Sequence, residues 1–346
     1  MKTLLKTFMV GAMALTVTSG LTLGLSGSAQ AQQHNLKMAT IAPGSSAYLT
    51  MTTMATMVNQ ALDNVDIQVD ATGAATKHMI ELAQGKLDMC MTSPTVYKFM
   101  KNGSVMYKKL ADAPQLAENL RLVLWFPLGQ YHIVTYADDN MTKPADIKGK
   151  RVFLGPPGGG AWAAARGWVK ILTGGFEPDK DYENVKASWS SAFQGFQDRQ
   201  FDVYVTTGIA PFPQLEQLAL TSKMRLLGFD KAQFEANEAA KKYTEIQGEE
   251  LGIIPAGIYG NGVVNKEDVY TLGAVVGVAA RADLDPDLVY AITKAFWDQR
   301  KNAMKANPWM KDITMDYAVQ DGGLKLHPGA LRFYEEAGVK IPDGSK

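Results

Sequence analysis

The sequence predicts an α/β fold in which two related lobes close around a cleft, a clamshell with a two-strand hinge. Three observations support this: apolar strands alternate with helices, two segments recur at a fixed spacing, and a very short connection joins the two halves. Strands that alternate with helices are typical of parallel sheets covered by helices. Ligands of such sheets bind beyond the carboxyl ends of the strands, so the turns at those ends are the candidate site.

Two segments recur at a spacing of 114 residues, which indicates two related halves. "APGSSAY" (42–48) aligns without gaps with "PPGGGAW" (156–162), and "GKLDMCMTS" (85–93) aligns with "RQFDVYVTT" (199–207). Each half is expected to run from a strand through a Pro/Gly turn into a helix, then through a second strand and a short helix into a third strand. The second strands are predicted at "VDIQVDAT" (65–72) and "NVKASWS" (184–190).

The connection between the halves is predicted to be the hinge. "LRLVLWFPLGQYHIVTYA" (120–137) contains two apolar stretches separated only by Pro127, Leu128 and Gly129, so we expect two strands joined by a tight connection. The tail from about Thr271 is expected to return to the first lobe. The predicted lobes are 32–126 with about 270–346, and about 127–269.

The first 31 residues have the pattern of a secretory signal peptide. Lys2 and Lys6 precede an apolar stretch over about 7–25, and Ala29-Gln30-Ala31 forms the expected cleavage site. A transmembrane anchor is the alternative, but polar residues interrupt the apolar stretch and no stop-transfer cluster follows it. We therefore expect a periplasmic mature chain that begins near Gln32.

Composition excludes several kinds of partner. The chain has 35 basic and 35 acidic residues and no net charge, so it offers no basic field for nucleic acid or for an anionic membrane. Its single cysteine, Cys90, cannot form an internal disulfide and is expected to be a buried, inert thiol. Met51, Met54 and Met57 recur every three residues, which is typical of a core stripe rather than a copper site.

The turn before the predicted helix at 161–172 has three interpretations. Small residues at a strand-to-helix turn let the backbone approach an anion, with free N–H groups at the helix start pointing towards it. The spacing Gly158-x-Gly160-x-x-Ala163 also suggests a nucleotide cradle, but a P-loop needs Gly-Lys-Ser/Thr and Ala161 follows Gly160 instead. The third interpretation is a plain turn that uses glycine for a positive φ. We favour binding of a small anion.

Hydroxyl, glycine and aromatic residues recur at equivalent turns of the two halves. Each hydroxyl alone is typical of a helix cap or a turn, but the repetition favours ligand contact. Tyr48 and Trp162 either contact the ligand from opposite lobes or pack under the turns. Arg166 either neutralises a carboxylate or is a solvated helix residue. The candidate ligand-binding residues are Gly44, Ser45, Ser46, Tyr48, Thr72, Ser93, Gly158, Gly159, Gly160, Trp162, Arg166, Thr206 and Thr207.

No pattern for catalysis, metal binding or a cofactor is found, so an enzyme is not expected. The four histidines lack metal-ligand spacing, and no G-x-S-x-G motif occurs. His34 and His78 are expected to be solvated. His132 either lines the cleft or belongs to the core or the surface.

Five segments that together span nearly the whole mature chain carry a family resemblance. They are "DATGAATKHMIELAQGKLDMCMTSP", "LRLVLWFP…YHIVTYADDNMTKPADIKGKRVFLGPPGGG", "RQFDVYVTTGIAPFPQLEQLA", "ARADLDPDLVYAITKAFW" and "LHPGALRFYEEAG". In this order they resemble a TAXI-type solute-binding protein of a TRAP (tripartite ATP-independent periplasmic) transporter. The resemblance implies a two-lobed, type II-like periplasmic binding fold that closes on a small organic acid or amino acid and delivers it to a membrane permease.

The site departs from the pattern of that family. Its first turn commonly resembles Gly-Gly-Thr-Tyr-Tyr, whereas residues 44–48 are Gly-Ser-Ser-Ala-Tyr. Its second turn commonly reads Gly-Ser-Gly-Thr, whereas residues 158–161 are Gly-Gly-Gly-Ala. Backbone N–H groups can still hold a carboxylate without these side chains.

The function expected from the sequence is a monomeric, non-enzymatic periplasmic receptor for a small carboxylate-bearing solute, acting with TRAP permease subunits. A ligand-sensing partner of a membrane sensor kinase is the alternative, because the same clamshell can signal. A periplasmic enzyme would need a general base in the cleft, and the sequence offers no candidate for one.

Overall fold

A computed structural model describes residues 32–41, 43 and 45–346. The predicted signal peptide (1–31) and the candidate site residue Gly44 lie outside the described residues. Among the helices of the described ranges, none combines the length and the apolar character needed to cross a membrane.

Strands and helices alternate along the chain as expected. The first half contains β1 (His34–Ala39), α1 (Ser46–Ala61), β2 (Val65–Asp70), α2 (Ala75–Ala83), β3 (Met89–Thr92), α3 (Pro94–Lys101), α4 (Ala113–Ala117) and β4 (Leu120–Tyr136). The second contains β5 (Arg151–Phe153), α5 (Gly160–Leu172), β6 (Glu183–Asn184), α6 (Trp189–Gln197), β7 (Val203–Gly208), α7 (Pro213–Thr221), β8 (Met224–Leu226), α8 (Lys231–Ala236), α9 (Glu238–Thr244) and β9 (Glu249–Ile254). The tail contains β10 (Val269–Arg281), α10 (Pro286–Ala303), α11 (Met315–Ala318) and α12 (Pro328–Glu336). The series from β1 to β3 recurs from β5 to β7.

One element of the repeat is much shorter than predicted. The strand expected over 184–190 is reduced to Glu183–Asn184, which pairs in parallel with Arg151 and Val152 of β5. Ser188 then caps α6, with its hydroxyl accepting from the Ser191 N–H, so the chain leaves the sheet early to begin a helix.

The sheet confirms the α/β fold class. Its strand order is β2-β1-β3-β10-β4-β7-β5-β6, with β8 paired to β4 and β9 paired to β10. β1 runs parallel to β2 and β3, and β5 runs parallel to β6 and β7. β10 and β4 run antiparallel to their neighbours in the middle of this order, so each half contributes one parallel strand group on either side of them.

The two central strands link the strand groups. Residues 120–136 form one continuous strand rather than the two strands predicted, and Pro127 and Gly129 lie inside it. β4 pairs with β10 as far as Pro127 and with β7 from Gln130 onwards. β10 changes partner in the same way, pairing with β9 as far as Ala274 and with β4 from Val275 onwards. Two strands that both change partners between the groups form the two-strand connection expected of a hinge. The lobe boundaries stay a prediction.

Two further predictions concern buried side chains. Met51, Met54 and Met57 on α1 are all buried, which confirms the core stripe. Cys90 on β3 is also buried, and burial raises the pKa of its thiol far above its usual value. A thiol held in its neutral form is a poor nucleophile, as expected of an inert core cysteine.

An aspartate before the third strand fixes the first strand in each half. The Asp88 carboxylate accepts a hydrogen bond from the Lys37 N–H at 2.9 Å, and the Asp202 carboxylate accepts one from the Arg151 N–H at 2.8 Å. Asp202 also pairs with the Arg151 guanidinium at 2.8 Å. The same contact at equivalent places gives a structural reason for the recurrence of Asp in both copies of the repeat.

Replacing Asp202 with alanine is expected to lower the free energy of unfolding by about 1–3 kcal/mol, because the Arg151 N–H loses its charged acceptor. Urea denaturation of the variant and the parent measures this difference. Asp283→Ala is the matched control, since the Asp283 side chain is 79% exposed although it also pairs with an arginine. Equal losses in the two variants would contradict the assigned role of Asp202.

Candidate functional site

Three helices follow the carboxyl ends of strands: α1 follows β1, α3 follows β3 and α5 follows β5. Ser45 caps α1, its hydroxyl accepting from the Tyr48 N–H at 3.1 Å. Ser93 caps α3 in the same way through the Val96 N–H at 3.2 Å. Gly159 caps α5 without a side chain. The first N–H groups of such helices have no partner within the helix and favour negative charge nearby.

Segments that follow the strands of one group contact segments that follow the strands of the other group. The Ile209 N–H, just after β7, donates to the Ser46 hydroxyl on α1 at 3.1 Å. Gly160, the first residue of α5, packs so closely on α3 that a Cβ added to it would lie 2.5 Å from Val96 Cγ2. Gly248, just before β9, similarly abuts Thr95. The turns singled out in the two halves therefore face each other across one interface.

Two candidate residues have partners on the protein surface. The Thr72 hydroxyl and N–H both donate to the Asp70 carboxylate, at 2.7 and 2.9 Å, in the turn after β2. The Arg166 guanidinium binds the Glu177 carboxylate at 2.7 Å and lies 5.7 Å from the centre of the Trp162 ring. Both arrangements satisfy the side chain without a ligand.

The aromatic and glycine candidates occupy the turns as expected. Tyr48 and Trp162 are half-buried in the first turns of α1 and α5. The Trp162 indole donates to the Asn184 side chain at 3.3 Å, which ties it to the short strand β6. Gly158 has a φ of +75°, as the plain-turn interpretation requires, and open space around its Cα leaves its backbone accessible.

Strand alternation separates Thr206 from Thr207. Adjacent residues of a strand project to opposite faces, and directly opposed residues of paired strands share a face. Thr206 is opposite His132, whereas Thr207 is opposite Tyr131. Both threonines are buried, but only Thr207 lies on the Tyr131 face.

His78, His132 and His327 are buried, whereas His34 is partly exposed. His132 is fully buried, its Nε2 lies 2.7 Å from the Tyr259 hydroxyl, and burial lowers its pKa to about 4. This supports the core interpretation of His132 over the cleft. His78, expected to be solvated, is only 4% exposed, and burial lowers its pKa as well. The expectation for His78 is wrong because its ring packs beneath Gly73 at the start of α2.

The fold also gathers a group of polar residues of which the sequence singled out only Thr207. We call this group the Glu249 cluster, and it consists of Thr95, Tyr131, Thr207, Tyr243 and Glu249. Thr95 on α3 donates to Glu249 Oε1 on β9 at 3.2 Å. Burial and then the charge of Glu249 raise the pKa values of Tyr131 and Tyr243. The Tyr243 hydroxyl also donates to the Ala164 carbonyl of α5 at 3.2 Å.

Glu249 is the unusual member of the cluster. Its Oε2 is buried and has no hydrogen-bond partner among the described residues. Burial raises the pKa of Glu249 to about 8, and neighbouring Glu250 acts in the same direction. No local motif marks this residue, since it begins an ordinary strand and its contacts come from distant segments. Within the described ranges, no group of three or more His, Cys, Asp or Glu residues is placed to hold a metal ion.

Solved structures give distant matches to this chain. An alkanesulfonate-binding protein from Xanthomonas axonopodis pv. citri is 14% identical, with 90% of this chain and 81% of that chain covered and a TM-score of 0.45. A TRAP periplasmic solute-binding protein from Ralstonia eutropha, with bound (S)-2-acetolactate, is 14% identical, with 89% and 86% covered and a TM-score of 0.42. The family model described as the NMT1-like family matches residues 38–338, which is most of the sequence, and the chain belongs to that family.

Proposed function

We propose that the protein is a periplasmic solute-binding receptor that captures a small carboxylate-bearing solute, an organic acid or an amino acid, and delivers it to a TRAP-type transporter. The observation that carries the proposal is the contact between the segments that follow the strands of the two groups. Ile209 contacts Ser46, and Gly160 contacts Val96. The TAXI-type resemblance of the sequence supports the choice of transporter.

In this proposal the backbone at Gly158–Gly160 and at Ser46 supplies N–H donors for the carboxylate. Tyr48 and Trp162 exclude water from the two sides. The solute bridges the strand groups, so it binds the closed arrangement better than an open one, and this difference in affinity drives closure. Bending would be concentrated where β4 and β10 change partners.

Thermal unfolding against a panel of organic acids, amino acids and sulfonates tests the proposal. A solute at about 100 times its Kd stabilises the native state by roughly 2.7 kcal/mol, which shifts the melting temperature clearly. Recovery of the solute unchanged, checked by mass spectrometry, is expected of a receptor. Conversion of the solute would point to an enzyme, and a silent panel would count against carboxylate binding.

Gly160→Ala is expected to weaken solute binding by about tenfold or more, because the added methyl group would press on Val96 and hold the strand groups apart. The helix itself should tolerate the change, since alanine favours helix formation. Isothermal titration with a solute identified in the panel measures the effect. Adding Val96→Ala removes the opposing methyl groups and should restore most of the affinity, whereas no recovery would mean that Gly160 acts in another way.

A further inference from the structure

We propose that the Glu249 cluster is a subsite for a protonated nitrogen of the solute, with Glu249 Oε2 as its charged acceptor and the hydroxyl groups of Tyr131 and Thr207 as neutral partners. The inference rests on the proposed function and narrows it. The solute would then carry a cationic nitrogen as well as a carboxylate.

The position of the cluster suits a ligand held between the strand groups. Glu249 on β9 reaches Thr95 on α3, so the contact crosses between segments that are 154 residues apart in the chain. Tyr243 connects the same cluster to α5 through the Ala164 carbonyl. The cluster therefore adjoins α3 and α5, the two helices that meet at Gly160 and Val96.

Two polar atoms of the cluster lack partners. Glu249 Oε2 is buried without a hydrogen bond to any described residue. Thr207 is only 7% exposed, and its hydroxyl lies near the Tyr131 phenol, whose pKa it lowers, but makes no well-aligned hydrogen bond to a described residue. Buried polar groups in native proteins are almost always paired, and an unpaired one is costly. A ligand that donates hydrogen bonds would satisfy both atoms.

The charge of the cluster selects the kind of ligand. Besides burial, the groups that shift the pKa of Glu249 are the Thr95 hydroxyl and the Glu250 carboxylate, and neither is a cation. Tyr131 and Tyr243 face Glu249 from β4 and α9, and they are neutral at ordinary pH because burial raises their pKa values. A buried carboxylate without a cation is either neutral or paired with a cationic ligand. An anion at this place would meet only like charge once Glu249 ionises.

This arrangement predicts a pH dependence with opposite signs for the two kinds of solute. The pKa of Glu249 is about 8 before the solute binds, so an ammonium group must displace its proton at neutral pH. Affinity for a nitrogen-bearing solute should therefore rise as the pH increases towards about 8. Affinity for a solute without nitrogen should fall over the same range, because Glu249 becomes negative.

Matched pairs of solutes provide the test: butyrate with 4-aminobutyrate, succinate with aspartate, and glutarate with glutamate. The full chain, Glu249→Gln and the control Glu250→Gln are each titrated near pH 6.5 and pH 8.5. Glu250 is the matched control because it is the adjacent carboxylate and has its own partner, the Tyr317 hydroxyl, at 3.0 Å. We expect the nitrogen-bearing members to bind more tightly than their nitrogen-free counterparts, Glu249→Gln to weaken them by about tenfold or more, and Glu250→Gln to leave them unchanged.

The outcomes separate this inference from the proposed function. A nitrogen-free solute that binds as well as its amino counterpart overturns the subsite and leaves the receptor proposal standing. Amino solutes that bind equally to Glu249→Gln overturn the subsite as well. A panel in which no member of any pair binds counts against both proposals. A circular dichroism spectrum of each variant establishes that the fold is retained.

Discussion

Replacing Gly129 with alanine is expected to lower the free energy of unfolding by about 3–4 kcal/mol, since two costs combine. Gly129 has a φ of +109°, a conformation that residues with a side chain rarely adopt. An added Cβ would also lie 2.2 Å from the Gly208 carbonyl carbon and 2.3 Å from the Ile209 nitrogen. These are backbone atoms, so no side-chain rotation can relieve the clash, and β4 must move away from the end of β7.

Urea denaturation of the Gly129→Ala variant measures the loss. Gly149→Ala is the matched control, because Gly149 also has a positive φ, +73°, but an added Cβ would meet nothing within 4 Å. The control isolates the cost of the φ angle, which is about 1 kcal/mol. If both variants lost the same stability, the close approach between β4 and β7 would not be the cause.

The same substitution should also disturb the proposed cleft. Ile209, whose nitrogen approaches Gly129, donates its N–H to the Ser46 hydroxyl across the strand groups. Displacing the segment after β7 therefore weakens a contact on which closure depends. The segment of β4 that changes pairing partners therefore links the stability of the sheet to the geometry of the candidate site.

The same segment of β4 also shows what a sequence pattern cannot predict. Pro127, Leu128 and Gly129 have the composition of a break between strands, and the sequence predicts a short connection between two strands there. In the structure they belong to one strand that exchanges partners, with Pro127 as its last residue paired with β10 and Gly129 at the tight approach to β7. Composition signals a break in regular pairing, but it cannot distinguish a reversal of the chain from a change of partner.

The candidate site also has one part that the sequence predicted and one part that it did not. The repeat predicted equivalent turns at the carboxyl ends of the strands in each half, and the structure has such turns after β1 and after β5. The Glu249 cluster could not be predicted, since it depends on which side chains meet across distant segments. Glu249 follows a segment with no motif, and its contact with Thr95 arises only from the packing of β9 against α3.

The contribution of Glu249 to stability should fall as the pH rises from about 5 to about 8. Its pKa is about 8 in the folded protein but close to 4.5 in the unfolded chain, so folding takes up a proton between these values. The stabilising neutral form is fully present below the unfolded pKa and is lost as the pH passes through the folded pKa. Glu249→Gln removes this titration, and at pH 8 we expect it to stabilise the protein by about 4 kcal/mol, since one pKa unit corresponds to about 1.4 kcal/mol.

Comparison of Glu249→Gln with the parent protein isolates this effect from other buried groups. His132 and His327 are buried with pKa values lowered to about 4, so their neutral forms favour folding increasingly as the pH rises from about 4 to about 6.5. That trend opposes the contribution of Glu249 and is the same in both proteins, so it cancels in the difference. The difference in free energy of unfolding, measured with urea at each pH, should therefore grow steadily up to about pH 8. A constant difference would mean that Glu249 is ionised throughout, with a cation already beside it, and the subsite for a protonated nitrogen would then have no basis.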